Sequence, residues 1–245
     1  GANFVSEDPP TGLRVEVRLK AFAGAPVWRV TTTATNNGDA PLALTHLSPA
    51  LIGGIAAGRQ QDAVIWYCRQ AWQAEAQWTS VPARDAGILS VSTHPDTGAF
   101  RLSSRGSFST ARAQPLLIVT SRELDSAWFI ELESSSSWDL EAGSFSGWSN
   151  EAGCLYLHAG AARERESGWM KRLAPGESYA AQPAAVGAVR GGFEEAVHAL
   201  TRYRRAAHAE AGAVRPPRLF FNDYMNCLWG NPASERLEPL IDAAA

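Results

Sequence analysis

With 245 residues, 45% of them apolar, the chain can bury a substantial core as one large all-β domain or two ordinary domains. A net charge of -3 without a dense basic run leaves no electrostatic footprint for nucleic acid or an anionic membrane surface, so neither is expected as a partner. No apolar stretch approaches the roughly 20 residues of a membrane span, and the start has no basic-then-apolar leader, so a cytoplasmic location is expected.

From Thr11 to about Gly191 the chain reads as short extended segments separated by turn chemistry. Arg14 to Leu19 alternates polar and apolar residues with a period of two, the pattern of a half-buried strand. Val27 to Ala34 is β-branched and stops at Asn36-Asn37-Gly38-Asp39; the Asn-Gly pair predicts a hairpin to a strand over Pro41 to Leu47. Further strands are predicted over Ala63–Cys68, Gly87–Ser92, Leu116–Thr120, Ser126–Glu133, Trp138–Glu141 and Cys154–His158. A Pro-Gly turn at Pro175-Gly176 is predicted between the last two strands, and Ser134 to Ser137 forms a turn. Many short strands without intervening helices indicate a mainly β fold, a large antiparallel β-sandwich.

At Gly192 the period changes. Phe193, Ala196, Val197, Leu200, Tyr203 and Ala207 recur at spacings of three and four, which predicts an amphipathic helix with an acidic start and a basic end. Arg215-Pro216-Pro217-Arg218 then reads as a stiff linker. Leu219-Phe220-Phe221 reads as a buried parallel strand, and Asn231-Pro232 as the start of a helix that Pro239 bends. The chain therefore divides into a sandwich over 1–191, a linker helix over 192–214, and a first strand and helix over 215–245.

Cys68, Cys154 and Cys227 are odd in number and far apart, so they are expected to be reduced, buried and apolar in role. His46, His94 and His158 are solitary, and His198 and His208 are ten residues apart on the helix, so no metal or other cofactor is expected. Trp28, Trp66, Trp128 and Trp138 fall in strands, where burial is the default. Trp78, Trp148, Trp169 and Trp229 lie nearer loops, where they can meet sugar or a second subunit.

The segment from Arg215 to Pro232, with Asn222, Asp223 and Tyr224 after the apolar strand, resembles the opening of the catalytic barrel in family 36 glycoside hydrolases, the α-galactosidases. The order upstream resembles that family too. It runs from Trp72 through Glu75 to Trp78, then Trp128 to Glu133, Ser167 to Lys171, Leu173 to Glu177, and Gly192 to Ala196 with Tyr203-Arg204-Arg205. The resemblance implies the start of a (β/α)8 barrel after the sandwich, and a retaining mechanism that uses two carboxylates about 5 to 5.5 Å apart. In that family the two carboxylates lie on later barrel strands, so none of the catalytic residues is expected here, and the chain alone is expected to be inactive.

The resemblance also implies a substrate, an α-galactoside or related oligosaccharide. Asn222, Asp223 and Tyr224 come after the first barrel strand and would face it, with Tyr224 where the family usually carries tryptophan. Trp72 and Glu75 would reach an active site across a subunit contact, which goes with a homo-oligomer; the competing reading puts Trp72 in the sandwich core. The second functional reading is a stand-alone β-sandwich module that binds carbohydrate or protein without chemistry.

Overall fold

The computed structural model describes residues 1–58, 60–88, 98–145, 153–161, 169–212, 222 and 227–244. It divides into two units, Gly1–Ala207 and His208–Ala245. The larger sheet of the first unit runs in the order β1 (Ala2–Asp8), β2 (Leu13–Phe22), β3 (Ala25–Asn36), β15 (Ala184–Arg190), β10 (Ser126–Leu132), β9 (Ala113–Ser121), β6 (Ala63–Ala71) and β7 (Ala74–Pro82). A short strand, β14 (Ser178–Ala180), also pairs with β3. A four-stranded sheet of β5 (Ala50–Ile55), β12 (Cys154–Ala161), β11 (Trp138–Phe145) and β8 (Phe100–Ser104) packs against it, and β4 (Leu42–Leu44) pairs with β13 (Lys171–Leu173).

Strand alternation sorts the larger sheet into two apolar faces. Ile65, Leu117, Val119, Ile130 and Leu132 turn towards the smaller sheet and meet Trp138, Leu140, Leu155 and Leu157 in the main core. Val27, Leu116, Ile118 and Phe129 turn the other way, onto helix α1 (Phe193–Glu210). β9 is therefore apolar on both faces, which explains why Leu116 to Val119 shows no alternation in sequence. A third cluster of Ala34, Leu44, Leu47, Leu173 and Ala181 closes one end of the sandwich.

Helix α1 buries Ala196, Ala199, Leu200 and Tyr203, and the two alanines let its backbone approach the sheet closely. Its first turn is capped by Glu195, whose carboxylate accepts the Gly192 N–H at 2.8 Å, half of a capping box. That bond holds the Glu195 carboxyl below the usual carboxylate range. In the second unit, helix α2 spans Ser234–Ala244 with Pro239 inside it and no buried residue.

Several expectations are corrected. The Asn37-Gly38 turn does not join a hairpin: β3 pairs with β2, β15 and β14, whereas β4 pairs with β13. The buried Asn36 side chain organises this corner, donating to Ala40 O and Leu173 O and accepting from Gly38 N–H. The Pro175-Gly176 turn connects β13 to β14, with a further strand, β15, still to come; Glu177 N–H bonds Ala174 O and Gly176 has φ 79°. Of the strand expected over Gly87–Ser92, Gly87 and Ile88 are not extended and the rest lies outside the described residues.

Helix α2 begins later than Asn231-Pro232, with Ala233 O accepting from Arg236 and Leu237 N–H. The linker 215–218 and the strand expected at 219–221 lie outside the described residues. Strands β1, β5, β7, β8 and β15 have no counterpart in the sequence pattern, because each is short, exposed or rich in Gly and Ala and so carries little hydrophobic periodicity.

Candidate functional site

The β6–β7 hairpin presents the sequence-predicted residues of the sandwich. Ala71 pairs with Ala74, so Trp72 and Gln73 form its two-residue tip, and a register shift between Arg69 and Ala71 twists the arm. Trp72 is 89% exposed, which removes the reading of it as a core residue. Glu75 is exposed two residues after the tip. Gln73 (φ 55°) and Ala76 (φ 57°) both adopt the left-handed region, which L-residues occupy at a cost. The tip is held by Gln70, whose side-chain oxygen accepts the Ala76 N–H at 3.0 Å and whose own backbone N–H reaches Arg112 O at 2.9 Å.

Asn222 is exposed in the second unit, and Asp223 and Tyr224 lie outside the described residues. The structure thus brings Trp72 and Glu75 together on one hairpin. Trp78, on the same hairpin, is 37% exposed and meets Phe193 edge-on at 4.8 Å, while Phe193 also packs on Trp66 at 4.7 Å. Trp169 packs on Tyr179, Trp229 is exposed, and Trp148 and His94 lie outside the described residues. Cys68 is buried as expected and its thiol is pushed up by burial, but Cys154 is only half-buried and Cys227 is exposed.

Two polar clusters leave no mark in the sequence pattern because register creates them. On the outer face of the smaller sheet, Arg101 reaches Glu141 at 2.5 Å, Tyr156 donates to the same carboxylate, and His158 Nδ1 stands 3.9 Å from Asp139. His46 and His158, solitary in sequence, lie with ring centroids 5.5 Å apart. The cluster cross-links β8, β11 and β12. Among the described residues, no group of three or more His, Cys, Asp or Glu could hold a metal ion.

The second cluster ties α1 to the larger sheet. Glu133 accepts two bonds from Arg29, at 2.9 and 2.6 Å, and one from the Tyr203 hydroxyl, while Arg204 donates to Glu131. Burial and the Glu133 contact push the Tyr203 phenol up, so it stays neutral and donates. Glu131 and Glu133 line one shallow cleft, yet each is engaged by a guanidinium, an arrangement that ties elements together.

Burial raises the Glu131 carboxyl in spite of the opposing Arg204 contact. A carboxyl raised in the folded state favours folding while protonated and loses that contribution as pH rises through its folded pKa. Glu131→Gln cannot ionise, so its melting temperature relative to wild type should move upward over the interval in which pH rises from the ordinary glutamate range, about 4.3, through the raised folded value. A relative melting temperature that falls over this interval would show that the Arg204 pairing outweighs burial.

No family model and no curated protein matches the chain by sequence. Solved structures do match. The GH36 α-galactosidase AgaA from Geobacillus stearothermophilus superposes with a TM-score of 0.62 at 16% identity over 78% of this chain. The fold is one found in GH36 α-galactosidases. AgaB from the same organism gives 0.63 at 15% identity, and the α-galactosidase from Lactobacillus brevis gives 0.61 at 15%. This chain spans about a quarter of the GH36 enzymes it matches, covering 24% of AgaA and 23% of the Lactobacillus brevis enzyme. Variants of AgaA have been solved with stachyose and with raffinose. No described helix is long and apolar enough to cross a membrane.

Proposed function

We propose that this chain is the sandwich portion of a retaining α-galactosidase-like glycoside hydrolase and that the β6–β7 hairpin carries its contribution to substrate. The observation that supports this reading is Trp72, 89% exposed at the tip of an arm on a sandwich with the GH36 fold. An indole held clear of its own domain has its flat apolar face available to a sugar ring, and Glu75 beside it can accept sugar hydroxyls. In this reading the sandwich supports the barrel, builds contacts in a homo-oligomer, and delivers Trp72 and Glu75 to the active site of a neighbouring subunit. The ligand is an α-galactoside oligosaccharide of the class seen in the AgaA complexes.

In this reading Asn222, Asp223 and Tyr224 follow the first barrel strand, and loops after barrel strands face substrate. The two catalytic carboxylates act from later barrel strands, one as nucleophile and one as acid/base.

The test is kinetic, on enzyme that carries this chain together with its barrel. Trp72→Ala should lower kcat/KM for stachyose by at least about tenfold, equivalent to about 1.4 kcal/mol of transition-state binding. The melting temperature should not change, because an exposed side chain contributes little packing. Unchanged kcat/KM in the variant would overturn the role of the hairpin. Turnover of an aryl α-galactoside by residues 1–245 alone would overturn the placement of the catalytic carboxylates outside this chain.

A further inference from the structure

The smaller sheet does not cover the whole inner face of the larger one. On β15, Val186 is 7% exposed and belongs to the core, but Ala188 and Arg190, two and four residues further on the same face, are exposed. On β3, Val30 is buried and Trp28, one step back on that face, is 43% exposed. On β10, Ile130 is buried, Trp128 half-buried and Ser126 half-buried. At the end of this face lies an open groove of 460 Å³ lined by Leu124, Asp125, Ser126, Trp128, Ala188, Val189 and Arg190, with Trp28 on the uncovered face outside that lining.

Register sets its dimensions. Trp28 stands opposite Val186, and Trp128 opposite Ala188, so the tryptophans are two strands apart and offset by two residues. At about 4.8 Å between strands and about 3.3 Å per residue, their Cα atoms are roughly 12 Å apart, with only alanine and valine between them. Two flat aromatic side chains on a low apolar floor fit a ligand longer than one sugar ring.

The polar lining restricts the class of ligand. Arg190 and Asp125 carry opposite charges, so the groove has no net demand for an ion.

We propose that this corner is a carbohydrate-binding trough for a neutral oligosaccharide, which stacks on Trp28 and Trp128 and hydrogen-bonds Arg190 and Asp125. The trough uses no residue of the β6–β7 hairpin and does not depend on the function proposed for it.

Titration calorimetry of the chain with stachyose, maltotetraose and cellotetraose tests the proposal. At least one tetrasaccharide should bind saturably, with Kd about millimolar as expected for a shallow open site. Trp28→Ala and Arg190→Ala should each weaken that binding at least tenfold. Both positions are exposed, so the folded state tolerates the changes, and unaltered melting curves would confirm it. Trp72→Ala should leave the affinity unchanged. Absence of saturable binding for all three sugars overturns the trough, as does binding that survives both trough variants. Binding lost in Trp72→Ala but kept in Trp28→Ala would also overturn it, while placing the sugar on the hairpin. Galactose alone binding as tightly as a tetrasaccharide would overturn the two-ring spacing.

Discussion

Phe129→Ala is expected to destabilise the protein by about 3 to 5 kcal/mol, the usual cost of removing a buried aromatic side chain. Phe129 is fully buried in the layer between the larger sheet and α1, where Phe22, Val27, Ile118, Leu200 and Tyr203 belong to the same cluster. It stands opposite Ile118 on β9 and opposite Gly187 on β15, and its ring lies over the glycine. The sheet backbone fixes one side of the space the ring fills, so the cavity can close only by moving α1. A fall in melting temperature of roughly 10 °C should accompany the loss.

Gly187 supplies an internal check on this packing. A Cβ at Gly187 would run into the Phe129 ring and approach Pro26 O to 2.7 Å. Gly187→Ala should therefore destabilise wild type through overpacking and do less harm in the Phe129→Ala background, where the ring is gone. Additive effects of the two changes would contradict the ring-over-glycine packing. A cost below about 1 kcal/mol for Phe129→Ala would show that α1 settles onto the sheet without it.

The second large effect is expected at Asn36, where three hydrogen bonds of one buried side chain hold three segments. Its Nδ2 donates to Ala40 O at 2.8 Å and to Leu173 O at 3.1 Å, and its Oδ1 accepts Gly38 N–H at 3.0 Å. Its backbone bonds Glu177 O and Gly176 N–H at 3.0 and 2.7 Å. Asn36→Ala keeps the backbone bonds and leaves the Leu173 carbonyl buried without its donor. A stranded buried polar group costs about 1 to 3 kcal/mol, and with the loss of the other two bonds the total should be about 3 kcal/mol. Asn36→Asp keeps the acceptor for Gly38 and still loses both donations, so denaturant unfolding should show a cost close to that of alanine. Full stability in the aspartate variant would mean that the bonds to Ala40 and Leu173 carry no weight.

The same corner shows how far local sequence pattern reaches. Asn36-Asn37-Gly38-Asp39 does end a strand, and Gly38 has almost no space for a side chain, since Thr11 O lies 2.5 Å from where a Cβ would stand. The segment after this turn, however, is not the partner that the Asn-Gly pair suggests. Two partners of β3, β14 and β15, arrive from far downstream; Thr35 and Ser178, hydrogen-bonded to each other, are 143 residues apart. Nothing local encodes which distant strand arrives. Pairing over such separations depends on which apolar faces can be buried together.

Sequence alone determined the class of fold, the change to a helix at Gly192, and the aromatic–acidic stretch that holds Trp72 and Glu75. These are properties of composition, period and spacing, which survive in a one-dimensional string. The tertiary structure decided the rest. It placed Trp72 in solvent instead of the core, because a two-residue tip after β6 projects beyond the sheet. It joined His46 to His158 and Glu131 and Glu133 to α1, because side chains distant in sequence meet only when strand register and helix docking are set. It left Trp28 exposed on a strand whose pattern promised burial, because burial depends on where the opposing sheet ends, and no residue of β3 records that edge.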